Sequence, residues 1–196
     1  MDHPVTLDPV IGSLLVGCFV LLFAGAASHK LRDPAQFAQV FAGYGIAQQL
    51  SRWRLTWLVP VVEVLLAIGL LLPAARTAAA ATAAGVLLGY AIAIAINLRA
   101  GRRLVACGCG GPDQQRPIAA WMVWRNALLA AAVGLTMLPW STRQLQWTDA
   151  ATVVFGLLAI ALLYACADRL LGEMGRAPAA EVRAAEVRAA EVPATP

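Results

Sequence analysis

Apolar residues gather in five long runs along the chain, and nearly all the charge sits in the short segments between them. The runs cover about 9–28, 55–72, 77–98, 118–138 and 150–167. Each approaches or reaches the roughly 20 residues that carry a helix across a bilayer. Pro73 and Pro139 close the second and fourth runs, and a residue with no N–H and a fixed φ stops a helix there. The third run is rich in Ala, which suits close helix packing. The second is the shortest and holds both Pro60 and Glu63. The pattern predicts an all-α fold, an integral membrane bundle of about five transmembrane helices.

Two segments break the pattern. In 33–48, Phe37, Val40, Phe41 and Tyr44 recur at helical spacing. Asp33 followed by Pro34 reads as an N-cap with Pro at the first helical position. The segment predicts a short helix at the membrane interface, ending near Gly43 or Gly45. The other exception is the C-terminus, where Ala-Glu-Val-Arg-Ala repeats at 180–184 and 185–189. Low complexity and balanced charge give it no apolar face to bury. The expected organisation is a transmembrane domain over 1–172 and a disordered tail over 173–196.

Composition agrees with a membrane protein. Of 196 residues, 60% are hydrophobic and only 13% charged, where soluble domains carry about a quarter charged. The net charge of +4 does not point to nucleic acid, because Lys and Arg lie in small clusters between apolar runs and form no basic face. Those clusters report topology instead. The N-terminus has no Lys or Arg before the first run. Lys30, Arg32, Arg52 and Arg54 follow that run, while only Arg76 follows the second. Arg99, Arg102, Arg103 and Arg116 follow the third, Arg143 alone follows the fourth, and Arg169 begins the C-terminal group. By the positive-inside rule the N-terminus is outside, and the first loop, third loop and C-terminus are cytoplasmic. The leading Asp2, His3 and Asp8 are the wrong flank for a cleavable signal peptide.

The chemistry concentrates at Cys107-Gly108-Cys109-Gly110-Gly111. Cysteines two apart in a turn can approach within disulfide range, and the glycines allow the backbone of so small a ring. Such a strained bridge exchanges readily. Arg102 and Arg103 would favour the reactive thiolate. The alternative is two unremarkable loop thiols. A zinc site would need further ligands, and although His29 and Cys166 fall on the same side, no second spaced pair exists, so no metal is expected. Charge places the pair on the cytoplasmic side, within reach of a thiol donor or membrane quinone, and an inverted orientation would turn it toward an extracytoplasmic partner. Cys18 and Cys166, lone thiols in the first and fifth runs, read as packing residues before a thiol relay.

Glu63 and Arg125 are ionisable residues inside apolar runs, where charge is costly and calls for a partner or a function. They lie eight and seven residues into their runs, so matched depth predicts a Glu63–Arg125 ion pair, with Asn97 and Asn126 adding hydrogen bonds. Trp53, Trp57, Trp121 and Trp124 read as interfacial anchors, or less readily as stacking partners for a quinone.

Ser28-His29-Lys30-Leu31-Arg32-Asp33, Phe37, Tyr44-Gly45, Pro60-Val61-Val62-Glu63 and Asn97-Leu98-Arg99-Ala100-Gly101-Arg102-Arg103 leading into Cys107-Gly108-Cys109 together resemble the MauE family of methylamine utilisation proteins. That family sits within a wider DoxX-like group, and the likeness covers roughly 10–140. The resemblance implies a four-helix DoxX-like core plus a fifth span in the bacterial plasma (inner) membrane. It implies a maturation role for a disulfide-rich extracytoplasmic enzyme such as methylamine dehydrogenase, carried out with a thioredoxin-like partner. The site residues are then Cys107 and Cys109 as the exchanging pair, supported by Lys30, Glu63, Arg102, Arg103 and Arg125. A non-catalytic membrane scaffold and a subunit of a quinol-linked respiratory complex are the competing functions.

Overall fold

A computed structural model describes residues 6–44, 52–102 and 118–191, with side chains left out at 52–55, 168 and 171–191. Cys107, Cys109 and Arg103 lie outside the described residues. The described chain is helical: α1 (Pro9–Arg32), α2 (Pro34–Gly43), α3 (Arg52–Leu71), α4 (Arg76–Arg99), α5 (Ala120–Leu135) and α6 (Trp147–Glu191). Among the described residues, three helices are long and apolar enough to cross a membrane: α1, α4 and the Trp147–Ala167 part of α6. Thr56–Leu71 and Ala120–Leu135 are shorter apolar helices.

The helices start and stop for local reasons. The Asp8 side chain accepts from the Val10 N–H ahead of Pro9. Asp33 does the same for Gln36 ahead of Pro34, so the expected cap and short helix are present, with α2 ending at Gly43. Gly101 takes φ +73° and lets the Arg102 N–H turn back onto the Asn97 carbonyl at 3.0 Å, closing α4 with the left-handed residue that favours glycine. The helical backbone of α6 runs on through the Ala-Glu-Val-Arg repeat. Ala, Glu and Arg are all good helix formers.

Helices α1, α3, α4 and α5 share one core. Val16, Phe19 and Phe23 of α1 meet Leu66 and Leu70 of α3, Ala80, Ala83 and Leu87 of α4, and Val133 of α5. Small residues bring the backbones close: a Cβ on Gly69 would stand 2.9 Å from that of Ala79. None of the described side chains of α6 enters this core. The helix lies along α1 by a single seam, where Leu157 fills the space over Gly17 and Leu14 that over Gly156. Trp140, ahead of α6, sits in the notch of Gly12, and the chain beside it bridges Leu7 through two backbone hydrogen bonds, from Leu7 to Pro139 and from Ser141 to Leu7.

Candidate functional site

Polar side chains meet inside the bundle where α1, α3 and α4 come together. The α1 helix runs four residues past the end predicted at 28, which brings Lys30 off the loop and into the packing. It is 3% exposed. Across from it, Glu63 of α3 is 1% exposed. The Lys30 ammonium donates to Glu63 Oε1 in a buried ion pair. Tyr90 of α4 donates its hydroxyl to the same oxygen at 2.8 Å. Glu63 Oε2 has no hydrogen-bond partner among the described residues.

Aromatic faces complete the surround of the cation. Lys30 Nζ lies 5.5 Å from the ring centroids of both Phe37 and Tyr90. Phe37 is the buried residue of α2, so the short helix acts as a cover over the pair. The position of Glu63 follows from α3. Pro60 is fully buried in that helix and cannot donate to the carbonyl one turn earlier, and Glu63 follows on the same face three residues later. A charge at this depth is stable only when paired and hydrogen-bonded, and the Lys30 ammonium and Tyr90 hydroxyl meet that need at Oε1.

The predicted Glu63–Arg125 pair does not form. Arg125 is the sixth residue of α5 while Glu63 is the twelfth of α3. The α3 helix packs against α1, α2 and α4, and α5 against α4 and α1, so neither is a principal neighbour of the other. Arg125 instead holds its guanidinium 5.1 Å from the Trp121 ring centroid. The two asparagines do not join the ion pair either. Asn97 and Asn126 each donate to a carbonyl four residues back in their own helices, at 3.0 and 2.8 Å. Lys30 and Glu63, both expected as supporting residues, are brought together. Arg102 is exposed at the end of α4, from which the chain continues to Cys107 and Cys109. Sequence reasoning missed Tyr90, whose only signal was a hydroxyl within an otherwise apolar run.

At the opposite end of the bundle a second cluster is exposed. Arg143 Nε donates to Asp8 Oδ2 at 2.9 Å, and Nη1 donates to Asp149 Oδ2 at 2.9 Å. The hydrogen bond from Arg143 is the largest cause holding the Asp8 carboxyl below its ordinary range, and the two carboxylates raise Arg143 in turn. Nearby, the Arg76 guanidinium stacks 3.9 Å from the Trp140 ring centroid.

Long apolar helices with a lysine–glutamate pair locked between them define a helical membrane protein. Residues 8–140 match the family described as methylamine utilisation protein MauE. The chain belongs to that family. The methylamine utilization protein MauE of Paracoccus denitrificans is 34% identical over 176 residues, 89% of this chain and 94% of its own length. That of Paracoccus versutus is 33% identical over 87% of this chain and 92% of its own length, and that of Methylophilus methylotrophus 29% over 84% and 88%. The comparison with solved structures gave no match.

Proposed function

We propose that this chain is a multi-pass protein of the bacterial plasma membrane that serves methylamine utilisation as a thiol–disulfide component. Five helices cross the bilayer, with the N-terminus outside and the C-terminus cytoplasmic. Cys107 and Cys109 are the exchanging pair. The observation that carries the reading is their Cys-Gly-Cys spacing within a basic segment, between two helices of a bundle whose relatives are named for methylamine utilisation. A thiolate of a reduced pair attacks the disulfide of a thioredoxin-fold partner, and its neighbour resolves the mixed disulfide. One disulfide forms as the other breaks, so two electrons pass between the proteins without an outside oxidant. The client is an extracytoplasmic enzyme with its own disulfides, such as methylamine dehydrogenase. Lys30, Glu63 and Tyr90 hold α1, α3 and α4 in the frame from which the pair is presented.

The test is the redox state and sidedness of the pair in intact cells, read with membrane-impermeant and permeant maleimides before and after reduction. A partly oxidised pair that shifts when the thioredoxin-fold partner is deleted supports exchange. The Cys107→Ser and Cys109→Ser variants should insert normally and abolish client maturation. Full maturation in the double variant would overturn the reading in favour of a scaffold.

A further inference from the structure

Two arginines stand at the end of the bundle where α4 and α6 begin, and their neighbours treat them differently. Arg143 is forked between Asp8 and Asp149. Arg76 makes no ion pair and no hydrogen bond among the described residues. Its guanidinium is held instead by stacking on the Trp140 ring, 3.9 Å from the centroid, and Trp140 is itself fixed in the notch of Gly12. Stacking sets the plane of a guanidinium without consuming its donors. Arg76 Nε is buried there with no partner, and so is Trp140 Nε1. The two terminal nitrogens of Arg76 are neither bonded nor buried among the described residues, so they form the open end of the fork.

The position makes this cation costly. Arg76 is the first residue of α4, at the end of a helix dipole that repels positive charge. Ala75 gives the helix no side-chain cap, and the first turn has no acidic residue. The first bond of the helix runs from the Ala79 N–H to the Ala75 carbonyl at 2.9 Å, so the N–H groups of Arg76, Thr77 and Ala78 have no acceptor within it. A planar guanidinium and a helix N-terminus thus add their positive potential at one point, and that combination selects an oxyanion. The α4 helix is long and apolar enough to cross a membrane, which puts its first residue at the level of the lipid headgroups. Leu71 and Leu72, just ahead of the turn into α4, are 58% and 52% exposed and offer apolar surface to acyl chains.

We propose that Arg76 and the first turn of α4 seat the phosphate group of an anionic phospholipid. The two unesterified phosphate oxygens accept from the terminal nitrogens of Arg76 and from the N–H groups of the first turn, while Trp140 holds the guanidinium in its plane. A phosphodiester carries one negative charge and matches the single unpaired guanidinium. A head with its own ammonium, as in phosphatidylethanolamine, brings a second cation toward the same positive end, so phosphatidylglycerol is the preferred lipid.

The experiment follows thermal unfolding of the full-length protein, delipidated in detergent, as phosphatidylglycerol is added. The melting temperature should rise saturably, because a ligand of the folded state stabilises it by mass action. Diacylglycerol, which has the tails without the phosphate, should have no such effect, and phosphatidylethanolamine should bind more weakly. Arg76→Gln should weaken the apparent affinity for phosphatidylglycerol about tenfold or more, the scale of a lost hydrogen bond to a charged donor. Arg76→Lys should recover only part of it, since an ammonium keeps the charge but not the planar stack. Arg143→Gln removes the same charge at the same end of the bundle and should leave the affinity nearly unchanged. Equal losses in Arg76→Gln and Arg143→Gln would reduce the effect to overall charge and overturn the site. A rise with inorganic phosphate as large as that with the lipid would make the ligand a free anion, and one with diacylglycerol would make it a contact of the tails; either result overturns the lipid assignment.

Discussion

The molecule contains two charge clusters that differ in almost everything except their chemistry. Lys30 and Glu63 are 3% and 1% exposed, inside the bundle, with a single oxygen shared by an ammonium and a phenol. Asp8, Arg143 and Asp149 are 40%, 40% and 18% exposed at one end, with one guanidinium forked between two carboxylates. Water stands ready to replace any partner lost from the second cluster and none from the first. The buried pair is therefore a condition for the fold, while the exposed one is a local tie between the start of α1 and the start of α6.

That contrast can be broken most directly at Lys30. Lys30→Met leaves Glu63 buried without its cation and should destabilise the bundle by about 3–5 kcal/mol, whereas Lys30→Met combined with Glu63→Leu should recover most of the loss. Unfolding of the purified protein in detergent measures both, and a single variant as stable as the wild type would remove the distinction between the clusters. Tyr90→Phe should cost less, about 1–2 kcal/mol, because the ion pair survives with one donor fewer. Asp33→Ala acts one step further away. It removes the cap of α2, worth about 1 kcal/mol, and should loosen the Phe37 cover, read as faster hydrogen exchange around Lys30.

Arg143→Ala should have the smallest effect, and one that vanishes with added salt. Its pH dependence has a definite sign. Because Asp8 is held below its ordinary value of 3.8, its contribution is complete above that value and is lost as pH falls through the lowered one. The tie between α1 and α6 should therefore hold unchanged from neutrality to about pH 4 and loosen only in stronger acid. Crosslinking between cysteines placed at Leu14 and Gly156 would report it.

Much of the fold was legible from pattern. The apolar runs became α1, α3, α4, α5 and the first part of α6, and the Asp33-Pro34 signal located α2 within a residue. Lys30 and Glu63 stood out because charge beside or within an apolar run is conspicuous. Their pairing was not legible. Lys30 looked like a loop residue because hydropathy falls at His29, yet a helix continues through polar residues whose charge is satisfied across the packing. Glu63 was matched to Arg125 by counting from apolar boundaries, but a residue count does not choose neighbours, and α3 packs against α1, α2 and α4 while α5 packs against α4 and α1. Tyr90 was invisible for a different reason. In a run of Ala, Leu and Ile an aromatic ring reads as packing, and only the three-dimensional neighbour reveals that its hydroxyl is the part that matters.

The Lys30–Glu63 pair also sets an order of events at the ribosome. A charged residue at the centre of an isolated helix costs about 2.5–3.5 kcal/mol on entering the membrane from the translocon. Lys30, two residues from the end of α1, can reach toward the surface while α1 is alone. Glu63, in the middle of α3, has no such escape. Since α1 is synthesised first, its cation is already in place when α3 emerges. The earlier helix thus acts as a receptor for the later one, and α3 is a helix whose burial is conditional on company.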